Sequence, residues 1–415
     1  MNARAKSLAN LRIVSFGTFV AGNSCQLYLA ELGADVVKVE AHRHPEELRM
    51  YYSPEHQRLY EPSGIQTTAL FSSLARSVRS LCLEMNNPEA PALFEQLVAI
   101  ADVVVENFGP GVLESWGYDF DALLKINPKL VLVSISGYGR TGPRVHYRAF
   151  GSNITNVVGL ADAWRANGTH FDYVAAAHAA LGTLAGVMEV KRTGKGVVVD
   201  ISQVESAATI MAPLYLAQLA DGVAWSAGPN EVPGALLSEV FRCLGFDRWL
   251  AVELRDTDEW AATCRLLERD ELVDLSGDER GRKGLSESLK NWAAQLSPHQ
   301  AASRLQRIGV AAAAVQDGED LIRDPQLRAR GYIQEIDQPE VGPCEYPGSP
   351  HRMSKTGGAI RRPAPRLGQH TVEILRDWLA MPDDDIATLA ATGVLGPHEF
   401  VHLMIDTQLQ EPEHE

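Results

Sequence analysis

Short apolar runs recur through the front half of the chain, and each is followed by a stretch long enough to form a helix. The runs are Leu11–Phe16, Asp35–Glu40, Ser80–Met85, Asp102–Glu106 and Leu130–Ser136. They are rich in valine, isoleucine and leucine and short for helices, so they read as buried strands. Helices are expected between them, over about Asn23–Leu32 with Gly33 as its C-terminal stop, and over about Pro88–Ile100. Strands alternating with helices at this spacing predict βαβ units and an α/β fold around a mainly parallel sheet.

Residues 43–66 break the alternation. They are polar, contain proline and several tyrosines, and are expected to make an excursion over the surface. A long apolar helix is predicted from about Asp172 to Arg192, ending at Thr193-Gly194-Lys195-Gly196. A strand, Val197–Ile201, and a helix, Gln203–Ala220, follow. Gly228, Pro229, Pro233 and Gly234 mark a linker near Ser226–Gly234. Beyond it, a strand at Trp249–Leu254 and amphipathic helices near Asp258–Leu267, Ser286–Gln295 and Pro298–Ile308 predict a second α/β segment. From about Gly331 the pattern is strand and turn, and then two helices, Thr371–Leu379 and Asp383–Ala391. The acidic end, 411–415, reads as a frayed tail.

The formal net charge of −15 argues against a nucleic-acid binder or a membrane-surface binder, either of which needs a basic face. The charge is unevenly spread. Residues 1–79 carry nine basic and seven acidic groups, a net of +2, whereas 376–415 carry one basic and nine acidic groups, a net of −8. The front of the chain is therefore expected to tolerate an anion. The five cysteines are widely spaced and make no CxxC, which points to a reduced, cytoplasmic compartment and gives no zinc site. No signal-peptide core is visible at the N-terminus, and no apolar run is read as a membrane span.

Several residues stand out chemically. Phe16–Gly22 has the wrong glycine spacing for a dinucleotide turn, yet backbone N–H groups at the following helix start could face a phosphate or a thioester. Asn107-Phe108-Gly109-Pro110-Gly111 follows a buried strand, at the end where open α/β sheets bind ligands. By position alone Asp172 reads as the N-cap of the long helix; the functional alternative is a carboxylate nucleophile. His178, on the same helix, reads as a packing residue. Arg76 and Arg79 read as solvated charges, with phosphate contact as the alternative.

Taken in order, these segments resemble the family III CoA-transferases (CaiB/BaiF family), the group that contains formyl-CoA transferase and carnitine CoA-transferase. The resemblance runs from about Leu11 to Pro397. LRIVSFGTFVAGNSCQLYLAELGADVVKVE is similar to the family's first βαβ unit, LVAIADVVVENFGPGVLESWGYDF to its CoA-contacting loop, and NPKLVLVSISGYGRTGP to the next strand and turn. Asp172 precedes Thr193 by 21 positions (193 − 172), as the catalytic Asp does in formyl-CoA transferase. DPQLRARGY at Asp324–Tyr332 and APRLGQHT at Ala364–Thr371 resemble two later signatures.

The resemblance implies a Rossmann-like large domain over 1–225 and 335–415 and a smaller α/β domain over 226–334, in an interlaced homodimer. It implies that Asp172 is the catalytic nucleophile, passing through aspartyl anhydride and aspartyl-CoA thioester intermediates. The substrates would be an acyl-CoA and a carboxylic acid, with coenzyme A as part of the substrates, no tightly bound cofactor and no metal. CoA contacts are implied at Val20 and Ala21, at Leu83, Glu84, Met85 and Asn86, at Asn107, Phe108 and Gly109, and at Arg148. Formyl-CoA transferase has glutamine where Val20 aligns, glutamate where Ser152 aligns, and a glycine-rich lid where this chain has Ala227–Asn230. These departures argue against oxalate and formate as substrates. Two alternatives share the scaffold: a 2-methylacyl-CoA racemase-like enzyme, and a non-catalytic subunit paired with a homologous chain.

Overall fold

The computed structural model describes residues 6–50, 68–161, 168–222, 230, 232, 234–339 and 341–396. The second part of the 43–66 segment, most of the 226–234 linker, the lid-equivalent residues 227–229 and the acidic tail therefore lie outside the described residues.

Six strands, β1 (Arg12–Phe16), β2 (Asp35–Glu40), β3 (Arg79–Cys82), β4 (Val103–Glu106), β5 (Val131–Ser136) and β6 (Val197–Ser202), form one parallel sheet. The order is β3-β2-β1-β4-β5-β6, so the direction of winding reverses between β1 and β4. The helices of this part are α1 (Phe19–Glu31), α2 (Ala69–Leu74), α3 (Ala90–Ile100), α4 (Val112–Ser115), α5 (Phe120–Ile126), α6 (Gly151–Val157), α7 (His170–Thr193) and α8 (Gln203–Asp221). Period-two alternation explains the double-sided burial. Ile13, Val103, Val105, Val131 and Val133 pack under α1 and α7, while Val14, Val104 and Leu132 pack with Leu93, Phe94 and Leu97 of α3 on the other face.

Strands β7 (Leu237–Arg242), β8 (Trp249–Leu254) and β9 (Ala311–Val315) make a separate antiparallel sheet. It packs with α9 (Thr257–Leu266), α10 (Glu279–Ala293) and α11 (Pro298–Gln306) around the fully buried Trp260. Two short helices follow, α12 (Gly318–Arg323) and α13 (Pro325–Ala329), and then the hairpin β10 (Ile333–Gln338)–β11 (Gly342–Pro347). The last helices, α14 (Thr371–Leu379) and α15 (Asp383–Ala391), return to the parallel sheet, where Ile374, Leu375 and Ile386 join the core on the α3 face. The chain divides into two compact units: Met1–Leu160 with Asn167–Tyr215 and Arg328–Glu415, and Ala161–Ala166 with Leu216–Leu327. The cut between Tyr215 and Leu216 falls inside α8, ahead of the Gly/Pro-rich stretch.

Several expectations need correction. Helix α1 begins at Phe19, four residues before Asn23, because Thr18 is extended and its carbonyl accepts from the Gly22 N–H. Strand β3 stops at Cys82, and Leu83 instead pairs with Leu395 of the returning C-terminal segment. The first part of the 43–66 segment is no surface excursion: Glu46, Leu48 and Arg49 are buried. Strands β7 and β9 were not expected. The four alanines of β9 favour helix in isolation, and pairing with β8 overrides that preference. Contrary to the hydropathy reading, α7 is long and apolar enough to cross a membrane by length and composition. One face, with Ala175, Ala176 and Ala179, packs against the sheet and α1, while Leu181 and Met188 are exposed.

Three cations of the front segment, Arg49, Arg76 and Arg79, are buried and paired within the fold. The Arg49 guanidinium makes two bonds to Glu40, 2.8 and 2.9 Å, while Arg76 pairs with Glu31, and Arg79 reaches Asp35, Glu373 and Asp377. Arg76 and Arg79 are thus neither solvated nor open to a phosphate. Burial is the largest single influence and alone would raise the Glu40 carboxyl, but the charge and hydrogen bonds of Arg49, with Lys38 and Ser80, together outweigh it and bring it down to about 2. The pair's stabilisation is present above the ordinary carboxylate pKa of 4.5 and is lost as pH falls toward 2. Arg49→Met is expected to cost about 3–5 kcal/mol at neutral pH by leaving Glu40 buried without that cation. Urea unfolding should show the deficit shrinking in acid, where Glu40 in the variant is neutral.

Candidate functional site

Helix α7 starts at His170 with Thr169 as its N-cap, so Asp172 is the third helical residue and not the cap. Its N–H bonds to the Thr169 carbonyl at 3.0 Å. Its carboxylate does not fold back on its own helix. Oδ1 accepts from Gln203 Nε2 at 2.7 Å, and Oδ2 lies against Gly151, where a Cβ would sit 2.5 Å away. Gln203 opens α8 directly after β6, and Gly151 opens α6. A side chain larger than hydrogen at 151 would also press on the Thr169 backbone. The Asp172 carboxylate is 7% exposed, and burial raises it to about 6, with the Gln203 bond opposing the rise. Such a carboxyl is a poorly solvated anion near neutral pH, which is a requirement for a carboxylate nucleophile.

A second cluster lies where the sheet reverses, between the ends of β1 and β4. Asn107 Oδ1 accepts from the Thr18 N–H at 2.6 Å, and Asn107 Nδ2 donates to the Thr18 carbonyl at 2.9 Å. Gly17 and Gly22 approach so closely that a Cβ on Gly22 would lie 2.6 Å from the Gly17 Cα. Next to this seam is a cavity of about 180 Å³. Phe16, Leu83, Met85, Phe108 and Trp116 give it apolar walls. Glu40, Glu46, Glu47 and Glu84 bring carboxylates, with Lys38 and His44 beside them. Parallel α/β sheets bind ligands at this switch point.

The two places are joined by contacts. Thr18 lines the cavity, and Phe19, the next residue, meets Phe150 edge to face with ring centres 5.2 Å apart. Phe150 precedes Gly151, which touches Asp172. Helix α1 packs along α7 through Val20, Ala21, Ala175 and Ala176.

The sequence-predicted residues therefore separate into groups. Leu83, Glu84, Met85, Asn86 and Phe108 line the cavity, and Asn107 locks its edge. Val20 and Ala21 bury their side chains in the core. Their N–H groups, in the first turn of α1, have no protein acceptor among the described residues. Gly109 has open space around its Cα. Arg148 is exposed on the loop before α6, and Ser152, also exposed, is the second residue of that helix. His178 is half-buried on α7 and is not brought to Asp172 by any bond. Gln203, Gly151 and Phe19 were not singled out from the sequence. Gln203 carries one legible signal, its place just past the carboxyl end of a predicted strand; Gly151 and Phe19 carry none.

Comparisons with known proteins agree on one family. The profile described as CoA-transferase family III matches residues 8–371. A probable CoA-transferase of Mycobacterium tuberculosis is 31% identical over 93% of this chain, which spans half the length of that relative. The succinyl-CoA–D-citramalate CoA-transferase of Chloroflexus aurantiacus is 28% identical, covering 94% of this chain and 98% of its own. Among solved structures, a CaiB/BaiF family protein from Brucella suis superposes with a TM-score of 0.79 at 25% identity, covering 90% of this chain and 99% of that one.

The Asp172 environment makes a stability prediction. A carboxyl raised from 3.8 to about 6 is costly to ionise in the fold. The cost is absent below about pH 4 and complete above about pH 6, and amounts to about 3 kcal/mol at most. Asp172→Asn, which carries no charge, is expected to raise stability by about 1–3 kcal/mol near pH 8 and to change it little near pH 4. Denaturant unfolding at the two pH values checks the sign and its pH dependence.

Proposed function

The chain belongs to CoA-transferase family III, and from that membership we propose that it moves coenzyme A from an acyl-CoA to a carboxylic acid with Asp172 as nucleophile. The observation that carries the reading is the buried Asp172 carboxylate, held by Gln203 and linked through Gly151, Phe150 and Phe19 to the switch-point cavity.

In the proposed sequence, an Asp172 carboxylate oxygen attacks the thioester carbonyl carbon. The C–S bond breaks, CoA leaves as thiolate, and a mixed anhydride remains. The thiolate attacks the aspartyl carbonyl and releases the donor acid as carboxylate, leaving an aspartyl-CoA thioester. The acceptor carboxylate repeats the first step in reverse sense: it attacks the aspartyl carbonyl, expels thiolate and forms a second anhydride. Thiolate attack on the acceptor's acyl carbon then frees Asp172 and the new acyl-CoA. Each step exchanges one acyl bond for another, so no net proton, electron or nucleotide is consumed. The free N–H groups of Val20 and Ala21 are donors suited to the developing oxyanion, and the burial of Asp172 limits water at the anhydride.

The cavity's apolar walls, with the carboxylates of Glu47 and Glu84, suit a flat, amine-bearing ring better than phosphates. Leu83–Asn86, Asn107–Gly109 and the Val20–Ala21 backbone are proposed to hold the CoA, and the exposed Arg148 to meet its phosphates. The named substrates of several relatives make succinyl-CoA the first donor to try, with dicarboxylic acids as acceptors. Exposed Leu181 and Met188 on α7 and Ile210 on α8 support a self-associated chain. Relatives named as the α and β subunits of a succinyl-CoA–L-malate CoA-transferase keep a heteromeric assembly as the second reading. Racemase chemistry would need a second acid/base group, and Ser152 stands where the racemases use histidine.

A crossed screen of acyl-CoA donors against carboxylic acids, read by mass spectrometry, tests the activity. Wild type is expected to form new acyl-CoA, and Asp172→Ala to fold yet form none; transfer surviving in Asp172→Ala would exclude the mechanism. The rate should fall in acid with a limb near pH 6, as Asp172 takes up its proton. Gln203→Leu removes the bond that lowers the Asp172 pKa. Its limb should therefore move to higher pH, so that the loss is greater near pH 6.5 than near pH 8.5.

A further inference from the structure

Lys38 and Glu46 form a buried ion pair that the proposed chemistry does not use. Lys38 Nζ is 2.8 Å from Glu46 Oε2 and donates to the Gly17 carbonyl at 2.5 Å. Glu46 Oε1 accepts from the Phe19 N–H at 2.8 Å. Asn23 Nδ2 donates both to Glu46 Oε2, at 3.1 Å, and to the Phe19 carbonyl, at 2.6 Å. Both polar groups of the Phe19 backbone are thus held by buried side chains.

Phe19 needs holding. Its φ is +49°, in the left-handed region that a bulky aromatic residue seldom adopts. That conformation lets the chain pass from the extended Thr18, locked by Asn107, into α1 within one residue. It therefore sets where the N–H groups of Val20 and Ala21 point. It also sets where the Phe19 ring meets Phe150 beside Gly151. A buried ion pair adds little net stability over an apolar pair of the same size, so a stabilising role is a weak reason for its presence.

We infer that Glu46, its charge balanced by Lys38, is a positioning residue that holds Phe19 left-handed and so fixes the donor turn at Phe19–Ala21. The inference rests on reading the Val20 and Ala21 N–H groups as donors to the reacting carbonyl oxygen. Glu46 acts through backbone geometry and does not touch the reacting atoms.

Two double variants separate the acceptor from the charge. Lys38→Met with Glu46→Leu removes both charges and the acceptor; Lys38→Met with Glu46→Gln removes both charges and keeps an acceptor of the same shape. Each is measured by amide exchange of peptides spanning 17–24, by affinity for free coenzyme A, and by kcat with the donor and acid the wild type uses best. The leucine variant is expected to fold, to lose about tenfold of its exchange protection over 17–24, and to lose about 100-fold in kcat with little change in coenzyme A affinity. The glutamine variant is expected to recover about tenfold of that kcat and most of the protection. Unchanged protection in the leucine variant, or an equal kcat loss in both variants, would overturn the inference. If wild type transfers no acyl group, the functional reading fails separately, and the exchange measurement alone decides whether Glu46 holds the turn.

Discussion

Asn107 bonds Thr18 twice across the seam where the strand order of the sheet reverses, its amide acting as both acceptor and donor to one backbone unit. This interaction stands in for the ladder that β1 and β4 can no longer form once both have ended. It holds the start of α1 against the end of β4, and the Gly17–Gly22 approach leaves no room for a side chain at either glycine. The cavity on one side and the α1–α7 packing on the other both depend on that fixed start. A looser seam would let α1 slide on the small alanine face of α7 and carry Phe19 away from Phe150.

Asp172 inherits its position from this frame. Helix α7 lies on β5, β6 and α1, so its first turn is delivered to the carboxyl ends of the strands, where the first residues of α6 and α8 also arrive. Three helix starts converging on one carboxylate leave it buried with a single side-chain donor, Gln203, among the described residues. That environment destabilises the charged form and makes the oxygen a better nucleophile than a solvated aspartate. Ionising this residue costs stability, while the carboxylates nearby are handled differently: Glu40 and Glu46 have buried cations as partners.

The parallel sheet was legible because its strands are apolar on both faces and its turns sit at regular spacing. The α7 start was misplaced by two residues because Asp172 is a good cap by composition; Thr169 takes that place, and only the contact with Gln203 shows which way the carboxylate faces. Regional charge misled more seriously. The +2 balance of residues 1–79 suggested an anion site, yet Lys38, Arg49, Arg76 and Arg79, four of its nine basic groups, are themselves buried and already ion-paired. The cavity beside Lys38 is lined by four glutamates. Net charge per segment cannot reveal such pairing, because partners such as Arg79 and Glu373 are far apart in the chain. Phe19 was illegible for a related reason: its left-handed backbone is imposed by Glu46 and Asn23 and not by its own side chain.

The proposed mechanism requires that the Asp172 carboxylate becomes acylated during turnover. Hydroxylamine added to the enzyme turning over an acyl-CoA, followed by peptide mass spectrometry, measures this directly. A hydroxamate is expected on Asp172, absent without acyl-CoA and absent at every other carboxylate. Transfer proceeding at full rate with no modification at Asp172, or with the hydroxamate on another residue, would contradict it.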